Sequence, residues 1–372
     1  MNSIAQDLGT HTTDSGWKES FRRAACELGF AAIGFTQADR APHANAFETW
    51  IADGFHGEMK WLERTPERRT DPRNVLPGAQ TVIALATVYR QSEPISPPGK
   101  VASYALNLDY HDLIEPKLRA LEAHLAALGG SQRSYVDTGP ILERDFAARA
   151  GLGWQGKSTM LISRHLGAFF FLSTILTTLR IEPDAPAKHH CGSCTRCINA
   201  CPTGAITAPY QLDARRCIAY LTIELKGSIP TDLRPLIGDR IYGCDDCAAA
   251  CPWNRFAASS TESAFARRDA LKYSHLRDLL SLDDESFRAA FKGSPIKRIK
   301  RKGFLRNVCV ALGNSGTPDD IPALERASID PEPLLAEHAV WAIQQIRSRH
   351  LPANPPAAQV AQPPHHPLEP LR

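Results

Sequence analysis

The chain has 372 residues, of which 43% are hydrophobic and 22% charged, with a formal net charge of +3. The length allows two or three domains with a buried core, the composition is that of an ordinary soluble globular protein, and the charge is too small to indicate a partner. Neither a signal peptide nor a twin-arginine signal opens the chain, and the longest apolar run, from Gly167, is too short to span a bilayer. We therefore expect a cytosolic protein without a membrane segment, in which the ten cysteines bind metal rather than form disulfides.

Residues 1–180 alternate predicted helices and strands, which indicates one α/β or α+β domain. The 3.6-residue periodicity predicts helices over 16–29, 111–130 and 141–151. Strands are predicted over 31–36, 81–89, 134–140, 158–163 and 167–176. Asp137 falls at the C-terminal end of a short strand, where an Asp before Thr-Gly-Pro is most often a turn former.

The segment "GLGWQGKST" from Gly151 satisfies both the G-x-G-x-x-G dinucleotide pattern and the G-x-x-x-x-G-K-[ST] phosphate loop. Both motifs require a buried strand before the glycines and a helix after them. Here a predicted helix precedes the glycines and a strand-like segment follows. We therefore expect neither site, but a glycine-rich backbone that closely approaches another large ligand.

Eight of the ten cysteines lie within residues 181–260 in two runs. The first run has the C-x2-C-x2-C-x3-C-P spacing of bacterial ferredoxins, in which three thiolates bind one cluster and the fourth ligates the other. The second run has the same Cys-Pro ending but lacks one early cysteine, which Cys217 replaces in our assignment. One 4Fe–4S cluster is assigned to Cys191, Cys194, Cys197 and Cys251. The other is assigned to Cys201, Cys217, Cys244 and Cys247.

Paired cysteines also bind zinc, so two structural zinc sites are the alternative to two clusters. The remaining cysteines, Cys26 and Cys309, each lie in a predicted amphipathic helix. We interpret both as buried thiols that behave as small hydrophobic side chains.

A basic run follows the cysteines: seven basic residues and no acid lie between Lys292 and Arg306. A solvated surface is the default interpretation, but such density without compensating acid favours a polyanionic partner. Short helices predicted over 304–314, 319–328 and 332–347 resemble about one and a half HEAT-type helical hairpins within residues 261–350. The proline-rich tail, residues 351–372, is expected to be disordered.

Several stretches together resemble the epoxyqueuosine reductase family, the cobalamin-dependent enzymes of the last step of queuosine synthesis in tRNA. They include "GFHGEMKWL", "YALNLDYH", "VDTGPILER", "GLGWQGKST", both cysteine runs, "CIAYLTIELKG" and "SPIKRIKRKGFLRNVCVALGN". They follow the family order from about residue 20 to 347, although the cysteine pattern is shared with reductive dehalogenases. The resemblance implies an α+β fold with a nitroreductase-like α/β cobalamin domain, a ferredoxin-like two-cluster domain and a HEAT-like helical repeat.

Cobalamin is implied by the resemblance alone, since the D-x-H-x-x-G cobalamin motif is absent. The implied reaction removes the epoxide oxygen of epoxyqueuosine and leaves an alkene, with electrons passing from the clusters through cob(I)alamin. Asp137 is the implied proton donor and a cobalamin contact. By matching positions the other implied cobalamin contacts are Lys60, Tyr104, Gln155, Lys157, Ser158 and Ala219. Without the family, Lys60 would be an ordinary surface residue and Tyr104 an ordinary core residue.

The resemblance also implies a tRNA partner, whose modified base would leave the anticodon stack to reach the cofactor. The basic residues expected to face tRNA phosphates are Lys226, Lys297, Arg298, Lys300, Arg301, Lys302 and Arg306. We further expect a monomer and a low-potential electron donor such as a flavodoxin or ferredoxin.

Three other functions stay open at this point. A soluble reductive dehalogenase would share the cofactors, but such enzymes usually carry an export signal and have no use for a basic helical C-terminus. A two-cluster electron-transfer subunit would leave residues 1–180 without a role. A zinc-stabilised RNA-binding protein would be colourless.

Overall fold

A computed structural model of the chain describes residues 15–90, 99–257, 259–260 and 275–350. Its helices are α1 (Ser15–Glu27), α2 (Ala44–Ala52), α3 (Pro66–Thr70), α4 (Tyr110–Ala126), α5 (Glu143–Arg149), α6 (Arg196–Asn199), α7 (Arg234–Ile237), α8 (Asp246–Ala249), α9 (Asp284–Ala290), α10 (Lys300–Ser315), α11 (Ile321–Ala327) and α12 (Pro333–His350). Its strands are β1 (Ala32–Gln37), β2 (Thr81–Val88), β3 (Lys100–Val101), β4 (Gln132–Tyr135), β5 (Trp154–Gln155), β6 (Leu161–Ile162), β7 (Phe170–Thr177) and β8 (Arg240–Tyr242).

Short helices of other types connect these elements. A π-helix spans Tyr220–Glu224. The 3-10 helices are Lys60–Leu62, Pro72–Asn74, Ser103–Ala105, Ala214–Arg216, Pro252–Phe256, Leu276–Ser281, Pro295–Ile299 and Pro318–Asp320. The proline-rich tail predicted to be disordered lies outside the described residues.

The main sheet has four strands in the order β1-β2-β7-β4, and every neighbouring pair is antiparallel. Antiparallel pairing makes this an α+β rather than an α/β domain. All eight residues of β2 are buried, because α1 and α4 cover one face of the sheet while α5 lies against the other. The continuous apolar run of β2 therefore matches a central strand that is covered on both faces.

Most elements predicted for the first 180 residues are confirmed. Helices 16–29, 111–130 and 141–151 correspond to α1, α4 and α5, and the strands correspond to β1, β2, β4 and β7. The predicted strand 158–163 shrinks to the two residues of β6, because Thr159 before it takes a φ of 65°, which no strand residue adopts.

The cysteine segment packs against both the sheet domain and the C-terminal helices. Strand β3 belongs to residues 1–180, and β8 lies between the two cysteine runs. The two strands pair in parallel. Helices α6 and α8, one from each cysteine run, contact each other. Val310 of α10 joins Ile218, Leu221 and Ile237 in one apolar cluster. Packing therefore crosses the boundary predicted at residue 260.

Helix α10 is the centre of the C-terminal region. Its residues from Gly303 to Gly313 are all buried, and it contacts α12, α9, α7, β8 and the π-helix. A Cβ at Gly313 would lie 2.3 Å from the Trp341 ring, so only glycine lets α12 approach this closely. A helix buried on all sides shows no polar face.

Candidate active site

Asp137 lies in the turn after β4 and has a φ of 49°. This left-handed conformation is uncommon for residues other than glycine and is often found where function holds a strained backbone. The Asp137 side chain is 53% exposed, so a substrate can reach its carboxylate. The predicted location of Asp137 at the end of a strand is therefore confirmed. The turn changes the direction of the chain and also presents the Asp137 carboxylate to solvent.

The first turn of α4 holds the Asp137 carboxylate. Tyr110 Oη donates a hydrogen bond to Asp137 Oδ2, and His111 Nε2 lies 3.0 Å from Asp137 Oδ1. His111 Nδ1 lies 2.7 Å from Asp109 Oδ1, the N-cap residue of α4. Burial lowers the His111 pKa, but hydrogen bonds to Asp109 and Asp137 outweigh it and raise the pKa to about 10. His111 is therefore an imidazolium that donates to two carboxylates.

The first residues of α5 contact the other side of the Asp137 turn. Glu143 Oε1 accepts hydrogen bonds from the Asp137 backbone N–H at 3.3 Å and from Thr174 Oγ1 at 3.4 Å. Burial, together with the charge of Asp137, raises the pKa of Glu143 to about 8. The next residue, Arg144, donates to the Thr159 carbonyl oxygen at 2.6 Å. Helix α5 thus joins the Asp137 turn to the segment that begins at Gly151.

That segment follows helix α5 and forms the β5–β6 hairpin, so the strand–glycine loop–helix order that both motifs require is not formed there. Gln155 Oε1 is buried without a hydrogen-bond partner among the described residues, and Ser158 is buried at 5% exposure. Lys157 Nζ donates to the carbonyl oxygens of Gly192 at 2.7 Å and Cys194 at 3.0 Å. The glycine-rich segment therefore contacts the first cysteine run.

The other residues matched to cobalamin contacts lie on three segments. Lys60 is exposed and precedes Trp61. Its segment meets that of Ala219, because the Glu58 backbone N–H donates to Tyr220 Oη at 2.9 Å. The Tyr104 ring lies 6.2 Å from the Tyr110 ring, and Tyr110 in turn donates a hydrogen bond to Asp137. Tyr104 therefore lies near Asp137, and the segment that carries Lys60 contacts the segment that carries Ala219.

The cysteines that influence one another's pKa agree with the two sets of four proposed from the sequence, but among the described residues no group of three or more Cys, His, Asp or Glu side chains is arranged to hold a metal ion. We call Cys191, Cys194, Cys197 and Cys251 the outer set, and Cys201, Cys217, Cys244 and Cys247 the inner set. Burial raises the pKa of Cys251, and the thiolates of the other three outer cysteines raise it further. In the inner set, burial raises the pKa of Cys247 to about 12. The thiolates of the other three inner cysteines, and that of Cys197 from the outer set, also raise it.

Both sets fit the donor requirements of an iron–sulfur cluster. All ten cysteines are free thiols, and the outer set lines a cavity of about 50 Å³ together with Lys157 and Ser158. Trp154 Nε1 donates to Cys191 Sγ at 3.4 Å, and the Ala205 backbone N–H to Cys201 Sγ at 3.2 Å. Hydrogen bonds to the sulfurs are one means of setting the potential of a cluster.

Outside the two sets, one interpretation was right and one wrong. Cys309 is fully buried in the core, as predicted. Cys26 is exposed, because it lies on the outer side of α1 while Phe21 and Ala25 face the sheet.

The basic run predicted to lack compensating acid is partly neutralised in the folded chain. Arg298 pairs with Glu224 at 2.7 Å, Arg301 with Asp330 at 2.8 Å, and Lys302 Nζ lies 3.9 Å from Glu332. The acids come from distant segments, so local sequence could not show them. Lys226, Lys297 and Lys300 are exposed.

Arg306 requires a correction, because its side chain does not face solvent. It is 1% exposed and donates to the carbonyl oxygens of Leu221, Leu225 and Gly227 at 2.7–2.8 Å. One face of α10 is buried against the π-helix, so a basic residue there ties two elements together instead of presenting a charge to a partner.

Tyr110, His111, Glu143 and Arg144 were not selected from the sequence as functional residues. The signal was present: Tyr110 and His111 end the stretch "YALNLDYH", and Glu143 and Arg144 end "VDTGPILER". Their proximity to Asp137 depends on the packing of α4 and α5 beside β4, which neither stretch shows by itself.

Comparison with known protein families assigns the cysteine segment. Residues 190–254 match the 4Fe-4S double cluster binding domain, which contradicts the zinc alternative. Residues 69–138, which include Asp137, match a second family described as Epoxyqueuosine reductase QueG. A double-cluster domain packed beside an α+β domain with an accessible, hydrogen-bonded carboxylate defines an iron–sulfur oxidoreductase.

Similar proteins narrow this class. The epoxyqueuosine reductase of Escherichia coli (strain K12) is 41% identical over 344 residues, covering 89% of this chain and 90% of the relative. A crystal structure of epoxyqueuosine reductase with a tRNA-Tyr epoxyqueuosine-modified tRNA stem loop matches with a TM-score of 0.83 at 32% identity, covering 89% and 90% of the two chains. The structure of epoxyqueuosine reductase from Streptococcus thermophilus matches with a TM-score of 0.81 at 29% identity and the same coverage. The chain belongs to the epoxyqueuosine reductase family.

This membership decides against a reductive dehalogenase and against a separate electron-transfer subunit. In the described part of the chain, no helix is both long and apolar enough to cross a membrane.

Proposed function

We propose that this chain reduces epoxyqueuosine to queuosine at the wobble position of tRNA. The observation that carries the proposal is the 41% identity to the Escherichia coli enzyme over 89% of the chain. The two family matches contain the chemically important residues: one includes Asp137 and the other all eight predicted cluster cysteines.

The reaction takes two electrons and two protons and releases the epoxide oxygen as water, leaving a carbon–carbon double bond. An alkoxide is a poor leaving group near neutral pH, so the departing oxygen requires a proton. Asp137 is the proposed donor because its side chain is both accessible and held in place. Its carboxylate must first take up a proton, and the His111 imidazolium, 3.0 Å from Asp137 Oδ1, is the group beside it that can supply one. Tyr110 and His111 fix its two oxygens, while Glu143 fixes the backbone of its turn.

Two 4Fe–4S clusters are proposed on the ligand sets described above. They would store and pass single electrons. The outer set is completed by a cysteine about 50 residues downstream of its other members, so the fold of residues 190–254 must form before this set closes.

Cobalamin is proposed as the cofactor between the clusters and the substrate. When bound, it would supply a strongly reducing cobalt centre for the epoxide. The buried, unpaired Gln155 Oε1 supports a polar ligand at the β5–β6 hairpin. The residues that would hold it are Lys60, Tyr104, Asp137, Gln155, Lys157, Ser158 and Ala219.

The proposed tRNA surface lies beside the π-helix and the start of α10. Lys226, Lys297 and Lys300 are exposed there, whereas Arg298, Arg301 and Lys302 would exchange an acidic partner for phosphate. Such contacts position the nucleic acid without reading its sequence.

The finer architecture is part of the same proposal. Residues 1–180 form a nitroreductase-like cobalamin domain, residues 181–260 a ferredoxin-like domain, and residues 261–350 a HEAT-like tRNA-binding domain. The pairing of α10 with α12 and of α11 with α12 supports the helical-hairpin description. The proposed enzyme is a monomer that takes electrons from a flavodoxin or ferredoxin.

The test uses the full chain purified without oxygen and supplied with cobalamin, a chemical reductant and tRNA that carries epoxyqueuosine. Nucleoside mass spectrometry should show conversion to queuosine. Asp137→Asn should abolish turnover while iron content stays at about eight per chain. Wild-type protein with full iron and bound cobalamin but no queuosine product would contradict the proposed function.

A further inference from the structure

The two cysteine sets differ in their access to solvent. In the outer set, Ser193, Thr195 and Arg196 lie between or beside the ligands and are exposed. In the inner set, the neighbouring residues Ile218 and Gly243 are buried but Arg216 is exposed, and the eight cysteines themselves are all half-buried. The difference lies in the cavity, which all four outer cysteines line but only Cys247 of the inner set. An electron that arrives from outside the chain therefore meets the outer set first, because transfer weakens steeply with distance.

Aromatic side chains connect the outer set to the surface. The Trp154 ring, whose Nε1 contacts Cys191, lies 5.3 Å from the Trp253 ring. Trp253 lies 5.7 Å from Phe256, which is 53% exposed. Near the first cysteine run, the Tyr210 ring lies 5.8 Å from the His189 ring and is 46% exposed. Exposed aromatic side chains of this kind are enriched where proteins bind one another.

Four exposed basic residues lie on or within two residues of the segments that line the cavity of the outer set: Arg164, Lys188, Arg196 and Arg255. The Arg255 guanidinium lies 4.5 Å from the centre of the Phe256 ring. The turn that carries Arg164 packs on the same segment, since a Cβ at Gly167 would lie 2.7 Å from Asn254 Oδ1. Arg196 lines the cavity of the outer set. We name these four residues with Phe256 and Tyr210 the rim.

The charge of the rim is not compensated within the described part of the chain. None of the four basic side chains forms an ion pair there. Between residues 185 and 223 the sole acid is Asp213, and it pairs with Arg215 at 2.9 Å. This differs from the basic run near α10, where acids from distant segments pair with three of the seven cations.

We propose that the rim is the docking surface for an acidic one-electron carrier protein. The inference rests on the proposed function, because only a reductive enzyme needs such a carrier. At each encounter the carrier is oxidised by one electron and the outer centre is reduced by one, so two encounters supply one turnover. A protein is favoured over tRNA as the occupant, since the modified base must reach Asp137, which is not part of the rim.

The test follows the reduction of the iron–sulfur clusters in full-length protein by their visible absorbance, with no tRNA present. Reduced flavodoxin, an acidic one-electron carrier, is mixed rapidly with wild-type protein and with Arg164→Glu/Arg255→Glu. At low ionic strength the variant should be reduced about tenfold more slowly or worse, because charge reversal removes electrostatic steering. The difference should shrink as salt is raised, since the Debye length falls to about 3 Å at 1 M.

Two further proteins separate docking from damage to the clusters. Lys188→Glu should show a smaller loss of the same kind, and Arg326→Glu in α11, which packs against α12, should match the wild type. Reduction by dithionite, a small molecule, should be equally fast in all four proteins.

The outcomes are distinguishable. Unchanged flavodoxin rates in both rim variants, or equal losses with flavodoxin and dithionite, would overturn the docking surface. Weaker tRNA binding with unchanged flavodoxin rates would reassign the rim to tRNA. Failure of the proposed function would appear separately, as full cluster reduction by dithionite without conversion of epoxyqueuosine.

Discussion

Asp137 is held by groups with different chemistry on each side. Tyr110 supplies a neutral hydroxyl and His111 a cation, while Glu143 accepts from the backbone of the same turn. Burial raises the pKa of Tyr110, so its hydroxyl stays a donor at every physiological pH. A left-handed residue with these contacts can present its carboxyl group in one orientation.

Tyr110→Phe tests whether that orientation matters. Removal of the hydroxyl should lower kcat for epoxyqueuosine reduction by about tenfold or more, since small misplacements of a catalytic group have large effects. Tyr89→Phe is the matched control, because both rings pack against Phe171, with ring centroids at 4.0 Å for Tyr110 and 4.4 Å for Tyr89. Equal kcat values for the two variants would show that the hydroxyl does not position Asp137.

His111 makes a prediction about pH. Its folded-state pKa of about 10 lies above the unfolded value of about 6.5. The imidazolium therefore contributes stability that is fully present below about pH 6.5 and is lost as the pH rises through about 10. Wild type and His111→Gln should differ in the free energy of unfolding at low pH and converge at high pH.

Urea unfolding across this range measures the difference. His124→Gln is the control on the same helix, because His124 Nδ1 contacts only the Ala120 carbonyl oxygen, at 2.9 Å, among the contacts described. A gap between wild type and His111→Gln that stays constant with pH would contradict a protonated His111.

At the scale of elements, α10 organises the C-terminal half. Arg306 and its neighbour Asn307 bond to backbone oxygens of the π-helix and the loop after it, and Asn307 Nδ2 also reaches Ile241 of β8 at 2.9 Å. Burial lowers the pKa of Arg306 to about 10, so the guanidinium stays charged at neutral pH. The loop that it fixes carries Lys226, one of the proposed tRNA contacts.

Arg306→Met should destabilise the protein by about 3 kcal/mol, because three backbone carbonyl oxygens, that of Leu221 among them buried, lose a charged donor. Lys302→Met, half exposed on the same helix, should change stability by less than about 0.5 kcal/mol. The same Lys302 variant should reduce the salt dependence of tRNA binding by about one unit of slope. Unfolding midpoints and binding at several salt concentrations measure both effects, and equal stabilities would show that Arg306 is not structural.

The boundaries of helices and strands followed from local pattern where the elements were long. Helices α1, α4 and α12 and strands β2 and β7 have enough periodic residues to be seen in the sequence. The two-residue strands β3 and β5 and the three-residue strand β8 were not predicted, because so few residues carry no period, and β6 was predicted too long. Their pairing depends on distant partners, as when β3 meets β8.

At the scale of the whole molecule, the cysteine sets depend on long-range folding. Cys251 stands beside Cys191, Cys194 and Cys197 because the two cysteine runs cross, with α6 against α8. The inner set likewise draws on both runs and on Cys217. Each proposed cluster would therefore hold together segments that are far apart along the chain.

Cys251→Ser should remove one cluster and leave the other. Iron should fall from about eight to about four per chain, and reduction by a protein carrier should fail because the outer centre is missing. Exposed Cys26→Ser is the control and should keep all the iron. Iron analysis and visible spectra measure the outcome. Full iron in Cys251→Ser would show that the outer set is assigned wrongly.

The sequence by itself indicated the kind of chemistry: the spacing of eight thiols favours iron–sulfur clusters over zinc, and the periodic segments indicate a core of both helices and strands. These features are local, because ligand spacing and hydrophobic period are both read over a few turns of chain. The tertiary structure alone decided which cations remain free. It buried Arg306 and brought Glu224, Asp330 and Glu332 to the basic run, while the rim kept its charge. Burial and ion pairing depend on segments far apart in sequence, so they exist only in the folded chain.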